Sequence, residues 1–155
     1  RRKTRRLENS MKTVRWYIVK NSSETLDSEI DEFLSLMAKD HDKNVFLSKK
    51  MLSQMRRTMT ASSQAGWLHL SFLEIDGQKA AGYLSFDYGN SLLVYNSGLN
   101  PDYREFSPGW VLLGYMLKWA NDNGRTEFDF MRGDESYKYK FGAKKRNVMK
   151  VCVEI

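Results

Sequence analysis

Cysteine occurs once in the 155 residues, proline twice and histidine twice. One thiol cannot close a disulfide within the chain, so a disulfide scaffold is excluded. His41 and His69 stand far apart, with no second His, Cys or carboxylate at ligand spacing, so no metal is expected. The longest strongly apolar run, around 111–117, falls far short of the roughly 20 residues of a membrane span. The N-terminus is charged but lacks a following apolar core, which excludes a secretory signal and makes the cytoplasm the default location. The chain begins with Arg1 rather than Met, so a piece of a longer protein is expected. No G-x-x-x-x-G-K-[ST] and no G-x-G-x-x-G occurs, which removes the usual support for nucleotide hydrolysis and for Rossmann redox chemistry.

What is present suffices for one packed domain over 1–155: 41% of the residues are apolar and 13% aromatic. The formal charge of +6 is local. Arg1-Arg2-Lys3-Thr4-Arg5-Arg6 carries five basic residues, and without them 20 basic residues face 19 acidic ones. Such a segment suits phosphates or anionic headgroups, or is simply a solvated arm or a severed helix. Elsewhere no interleaving of basic and aromatic residues points to RNA.

Periodicity orders the elements as β-α-α-β-β-β-α-β-α-β, a mixed α/β domain. Residues 14–19 are β-branched and aromatic and precede the polar segment 21–23. Leu26, Ile30, Phe33, Leu34 and Met37 then recur at helical spacing, and Met51, Leu52, Met55 and Met59 do so behind a capping Ser48. Residues 67–75, 80–88 and 91–97 alternate as strands, joined at Asp76-Gly77 and Gly89-Asn90, pairs that favour tight hairpins. A polar loop leads to a helix over 108–123 with Leu112, Leu113, Met116, Leu117 and Ala120 inward. A strand over 126–131, a short helix over 134–141 and a last strand over 147–154 follow, with Cys152 packed between Val151 and Val153.

Two places carry candidate chemistry. At Ser107-Pro108-Gly109 a favoured cap, a favoured first helical residue and a missing side chain make an open helix start suited to a phosphate, or simply a well-capped helix. Residues 128–142 run from an apolar strand through Arg132-Gly133 into Asp134, Glu135, Tyr137, Lys138, Tyr139 and Lys140. General acid and base groups are thereby gathered at a strand end. A structural account competes there: Arg132 pairs with Asp129 or Glu135, Asp134 caps the short helix, and the lysines are solvated.

Together these segments resemble a known group. The succession Leu99-Asn100-Pro101-Asp102-Tyr103, Ser107-Pro108-Gly109, Gly124, Phe128-Asp129-Phe130-Met131-Arg132-Gly133-Asp134-Glu135 and Tyr137-Lys138 with Phe141-Gly142 resembles the GNAT-fold acyltransferase domain of the cellulose-biosynthesis and BioF-like group, related to the Fem-type aminoacyl transferases. The likeness extends back through Asp76-Gly77 and Ala80-Ala81 to Arg1-Arg2-Lys3 with Leu7-Glu8. It implies a mixed, mostly antiparallel central sheet flanked by helices. It also implies an acyl-CoA such as acetyl-CoA as donor, held where strands splay near 92–97 and 126–131, with Tyr95 at the opening and the pyrophosphate over Ser107, Gly109 and Trp110. The superfamily's Gln/Arg-x-x-Gly-x-Gly/Ala signature is incomplete, since Arg104 precedes Gly109 by five residues and Gly114 falls too far on.

The implied reaction is N-acyl transfer to a small-molecule or glycan amine, in cell-envelope, polysaccharide or small-metabolite chemistry. Asp129 or Glu135 would accept the amine proton, Tyr137 would protonate the thiolate, and Arg132, Asp134 and Lys138 would hold the substrate. The group commonly carries two GNAT-like halves, and this chain resembles the second, so an upstream half is an expected partner. Two alternatives remain: Fem-type transfer from aminoacyl-tRNA, with Arg1, Arg2, Lys3, Arg5, Arg6, Lys144, Lys145 and Arg146 on phosphates, and a catalytically silent GNAT-like interaction module.

Overall fold

The computed structural model describes residues 2–20 and 24–153. Its strands are β1 (Val14–Ile18), β2 (Leu68–Ile75), β3 (Gln78–Tyr88), β4 (Ser91–Leu99) and β5 (Glu127–Asp129). They lie side by side in that order. The first four are antiparallel neighbours, and β5 joins β4 in parallel. The helices are α1 (Arg2–Glu8), α2 (Leu26–Ala38), α3 (His41–Phe46), α4 (Lys49–Gln64), α5 (Pro108–Asp122) and α6 (Ser136–Lys140), with a 3-10 helix at Pro101–Phe106 before α5. A parallel pair cannot be closed by a hairpin, and α5 supplies the crossover between β4 and β5.

Both hairpins form at the expected turns. Asp76-Gly77 and Gly89-Asn90 all take positive φ, which matches the right-handed twist of the flanking strands. Alternation along β2 then divides the core. Leu70 and Phe72, with Leu84 of β3, pack under Phe33 and Met37 of α2 and Met55 and Met59 of α4. Leu73 and Ile75, with Leu92 of β4, pack under Leu112, Leu113 and Met116 of α5. Met51, Leu52 and Leu117, expected in these stripes, are only partly covered.

Four segments differ from the sequence expectation. The basic N-terminal segment is α1, whose Leu7 is fully buried against the α5 layer while Arg2, Lys3, Arg5 and Arg6 stay exposed. Residues 41–46 form α3, capped by Asp40, whose carboxylate accepts the Lys43 N–H at 3.1 Å. Part of the polar loop after β4 is the 3-10 helix, where Asn100 Oδ1 accepts the Asp102 N–H. The expected last strand is absent over 147–153, and Glu154 lies outside the described residues. Met149, Val151 and Val153 alternate as a strand should, yet they are exposed and Cys152 with them, because no strand among the described residues pairs with them. Among the described residues no helix is long and apolar enough to cross a membrane.

His69 is a polar group set inside the α5 layer. It is 2% exposed, its ring meets Trp119 edge-on at 4.4 Å, and neither ring nitrogen has a hydrogen-bond partner among the described residues. Burial pushes its pKa down to about 4. The folded chain therefore refuses a proton that the unfolded chain accepts below about pH 6.5. Its contribution to stability is intact above that pH and is lost as pH falls toward 4. Urea unfolding at pH 7.5 and 4.5 is expected to show the wild type losing about 2.5 kcal/mol more than His69→Leu over that interval. Parallel losses in the two proteins would refute it.

Candidate active site

β4 and β5 touch over three rungs only, Ser91 with Glu127, Leu92 with Phe128 and Leu93 with Asp129. Beyond Leu93 the strands part, and β4 continues to Leu99 paired on its β3 side alone. A register slip at Leu84/Ser85 leaves Tyr95 without a partner across the ladder. The Tyr95 ring lies 5.8 Å from that of Phe86, is 48% exposed, and does not line the cleft described next. Asn96 Oδ1 accepts the Ser97 N–H at 2.8 Å, and the Lys43 ammonium donates to Ser97 O at 2.5 Å and to Ser97 Oγ at 3.1 Å.

Where β4 runs free a cleft of about 530 Å³ opens. Ser97 and Leu99 contribute from β4, Tyr83 from β3, Arg104 from the 3-10 helix, and Ser107, Gly109 and Trp110 from the start of α5. Tyr137 of α6 and the segment 39–43 complete it. Three of the four residues expected at the donor thus meet one of the three expected to be catalytic.

The start of α5 is built differently from the expected cap. Ser107 sits in the left-handed region at φ 51°, and its hydroxyl makes no capping bond. Its carbonyl instead accepts from Trp110 N at 3.0 Å and Val111 N at 3.2 Å. Pro108 has no N–H, which leaves Gly109 as the donor at the helix start without a backbone acceptor among the described residues. A Cβ on Gly109 would stand 2.8 Å from Leu99 Cδ2 and 3.5 Å from the Tyr83 hydroxyl. The missing side chain therefore lets α5 approach β4. Trp110 packs on Phe141 at 4.4 Å, and the Lys3 ammonium lies 4.4 Å from its ring, which ties α1 and α6 to this corner.

Two phenols face the cleft. Tyr83 is buried, and burial pushes its pKa far above the ordinary value. Tyr137 is half-buried, and burial followed by the nearby Glu135 charge raises its pKa as well, so it stays protonated at neutral pH. Lys43 is displaced the other way, its pKa lowered by burial against a smaller opposing effect of Asp40.

The remaining predicted residues lie elsewhere. Asp129, Arg132, Asp134 and Lys138 line a second hollow, and Glu135 lines neither. Asp129 accepts the Met131 N–H at 2.6 Å, which closes the turn where Met131 takes φ 53°. Asp134 does not cap α6; its carboxylate accepts from the Tyr139 hydroxyl and lies 3.7 Å from Lys145. Lys138 is not solvated but 6% exposed, and its ammonium donates to Arg132 O at 2.9 Å and Gly133 O at 3.2 Å and pairs with Glu135 at 2.8 Å. That contact holds the Glu135 carboxyl below its usual range. Arg132 forms no ion pair with Asp129 or Glu135 among the described residues. The dense string is thus a loop wrapped on one buried ammonium, with Tyr137 presented to the cleft beside it.

Lys43, Tyr83 and Arg104 were not expected in the site, whereas Ser97 closes the stretch 92–97 where the strands were expected to splay. Asp40 was a legible cap for the helix that carries Lys43, but nothing local shows that this helix lies beside the end of β4.

A family model described as an acetyltransferase (GNAT) domain matches residues 1–139. No curated protein matches the sequence. Among solved structures, a possible acetyltransferase from Clostridium difficile 630 superposes with a TM-score of 0.64 at 11% identity, over 92% of this chain and 97% of that one. An aminoglycoside acetyltransferase from an uncultured soil metagenomic sample gives 0.61 at 10%, over 92% and 99%. AAC(6')-Iy in complex with a CoA-containing bisubstrate analogue gives 0.56 at 13%, over 94% and 100%. At such identities these structures bear on the fold, whereas the family model covers most of the chain, splayed strands and cleft included: the chain belongs to the GNAT acetyltransferase family.

Proposed function

We propose that the chain transfers an acyl group from acyl-CoA to an amine in the cleft where β4 leaves β5. The observation that carries this reading is the meeting of Tyr137, the unpaired end of β4 and the start of α5 around one cavity. The donor set suits an anion: the Gly109 N–H at the positive end of α5, with Arg104 beside it. The similar fold of AAC(6')-Iy, solved with a CoA-containing analogue, supports the same ligand. Acyl-CoA supplies the activated carbonyl. In this chain the backbone of β4 beyond Leu93 polarises that carbonyl, and Tyr137 holds the proton that the departing sulfur needs. Asp129 and Glu135 shape the loop that carries Tyr137, and the amine proton passes to solvent.

Within the family we place the chain with the cellulose-biosynthesis and BioF-like branch, as one half of a tandem protein acting on an envelope or polysaccharide amine. The support is the string 129–138, whose Arg132, Gly133, Glu135 and Lys138 make the ammonium-centred loop.

Calorimetric titration with acetyl-CoA and CoA, joined to an assay of amine-dependent thiol release, tests the reading. The wild type is expected to bind, and Ser107→Glu, which sets a carboxylate at the start of α5 without touching the Leu99 contact, to bind at least tenfold more weakly. A folded wild type that binds neither ligand overturns the reading. Salt-sensitive binding of tRNA in its place would point to an aminoacyl donor.

A further inference from the structure

The charge of the cleft bears on the acceptor, given the acyl-transfer reading above. Lys39, Lys43 and Arg104 line it, and Asp40 is the carboxylate among its lining residues. That carboxylate is engaged as the cap of α3. Lys43 differs from an ordinary surface lysine. Its ammonium is drawn in against β4, where it meets the carbonyl and hydroxyl of Ser97. Neither it nor Lys39 nor Arg104 has a carboxylate within ion-pair distance among the described residues. A partly desolvated cation without a counter-ion is costly, and an anionic ligand relieves that cost. The ammonium carries three donors and Ser97 takes two, so one remains for a ligand in the cleft.

The start of α5 is the wall assigned to the donor, and Lys43 reaches the same cavity from a different element, α3, against Ser97 of β4. We propose that the acceptor is an amine that also bears a carboxylate or phosphate group, and that Lys43 binds that group. A polyammonium acceptor such as an aminoglycoside meets like charge in the same place and is disfavoured.

The test uses pairs of amines that differ in the anionic group: glucosamine 6-phosphate against glucosamine, and 4-aminobutanoate against butylamine, with kanamycin as the polycation. Thiol release from acetyl-CoA is expected to show kcat/KM at least tenfold higher for the anionic member of a pair, through KM. Lys43→Gln is expected to narrow that gap, and Lys43→Arg to keep it. Equal use of both members, or preference for kanamycin, overturns the proposal. The phosphates of the donor are the other source of the same chemistry. If Lys43→Gln weakens the binding of acetyl-CoA in the absence of acceptor, the cation serves a donor phosphate and the proposal falls; acetyl-dephospho-CoA then tells whether that group is the 3′-phosphate or the pyrophosphate. The same pairs titrated into CoA-saturated protein separate this inference from the one beneath it. Absence of thiol release counts against acyl transfer, whereas anion-selective binding that Lys43→Gln removes still supports the charge assignment, and non-selective binding sinks it.

Discussion

Replacing Tyr137 by phenylalanine is expected to lower kcat roughly a hundredfold, the scale of a positioned general acid, with little change in the affinity for acetyl-CoA. The ring of Tyr137 packs edge-on near Phe130, a contact that phenylalanine keeps, so the melting temperature should hardly move. Only the phenolic proton is removed. Burial and the Glu135 charge both raise the Tyr137 pKa, so the acid form persists through neutral pH and the limb that belongs to Tyr137 should lie on the alkaline side, while an acidic fall reports protonation of the acceptor amine. In Tyr137→Phe that alkaline limb disappears, while the dependence on the acceptor amine's own protonation remains. Lys138→Met probes the same residue indirectly. It empties the contacts to Arg132 O, Gly133 O and Glu135 and should loosen the loop, which lowers both stability and rate. A Tyr137→Phe enzyme with unchanged kcat would remove Tyr137 from the chemistry and leave it a packing residue.

Gly98→Ala is expected to destabilise the fold by about 3 kcal/mol, the upper part of the range for overpacking. An added Cβ would stand 2.6 Å from Leu36 Cβ, 2.7 Å from Met37 N and 2.8 Å from Leu36 C. Two of those atoms are backbone of α2, so no rotamer change can relieve the contact, and α2 must shift off β4. That shift carries consequences for the site. Ser97 precedes Gly98 and holds Lys43, while Leu99 follows it and packs on Gly109. Urea unfolding measures the loss, and a difference below 1 kcal/mol would show that α2 yields without cost. Gly66→Ala is a useful comparison. No atom lies within 4 Å of the added Cβ there, so its cost reflects the φ of +74° alone.

How much was legible in the sequence follows from where the information lies. The hairpins at Asp76-Gly77 and Gly89-Asn90 and the stripes of α2 and α5 are local patterns, and the structure contains them with small shifts of boundary. For α1 the sequence left an arm and a severed helix both open, because seven residues with one buried apolar side chain, Leu7, carry no periodic signal. The strand expected over 147–154 had the alternation but no ladder partner, and a β pattern acts only through its neighbours. Of the residues that line the cleft, Ser107 and Gly109 were expected from turn chemistry, Tyr137 from the acid and base groups gathered in its segment, and Trp110 from the resemblance alone. Lys43, Ser97, Tyr83 and Arg104 come from four elements that only the folded sheet brings together.

The sequence by itself determined the class of the chain: a mixed α/β order of elements, three antiparallel strands joined by two hairpins, and a segment of acids, lysines and tyrosines after the strand that follows α5. Periodicity, turn residues and motif spacing are local, and each is complete within about a dozen residues. Tertiary structure decided the rest. It turned Lys138 inward as the anchor of its loop and sent Asp129, Arg132 and Asp134 to a second hollow. It also drew the Lys43 ammonium against the free end of β4. Whether a charged side chain serves as an anchor or meets a ligand depends on which backbone carbonyls and carboxylates surround it, and that follows from contacts between residues far apart in the chain.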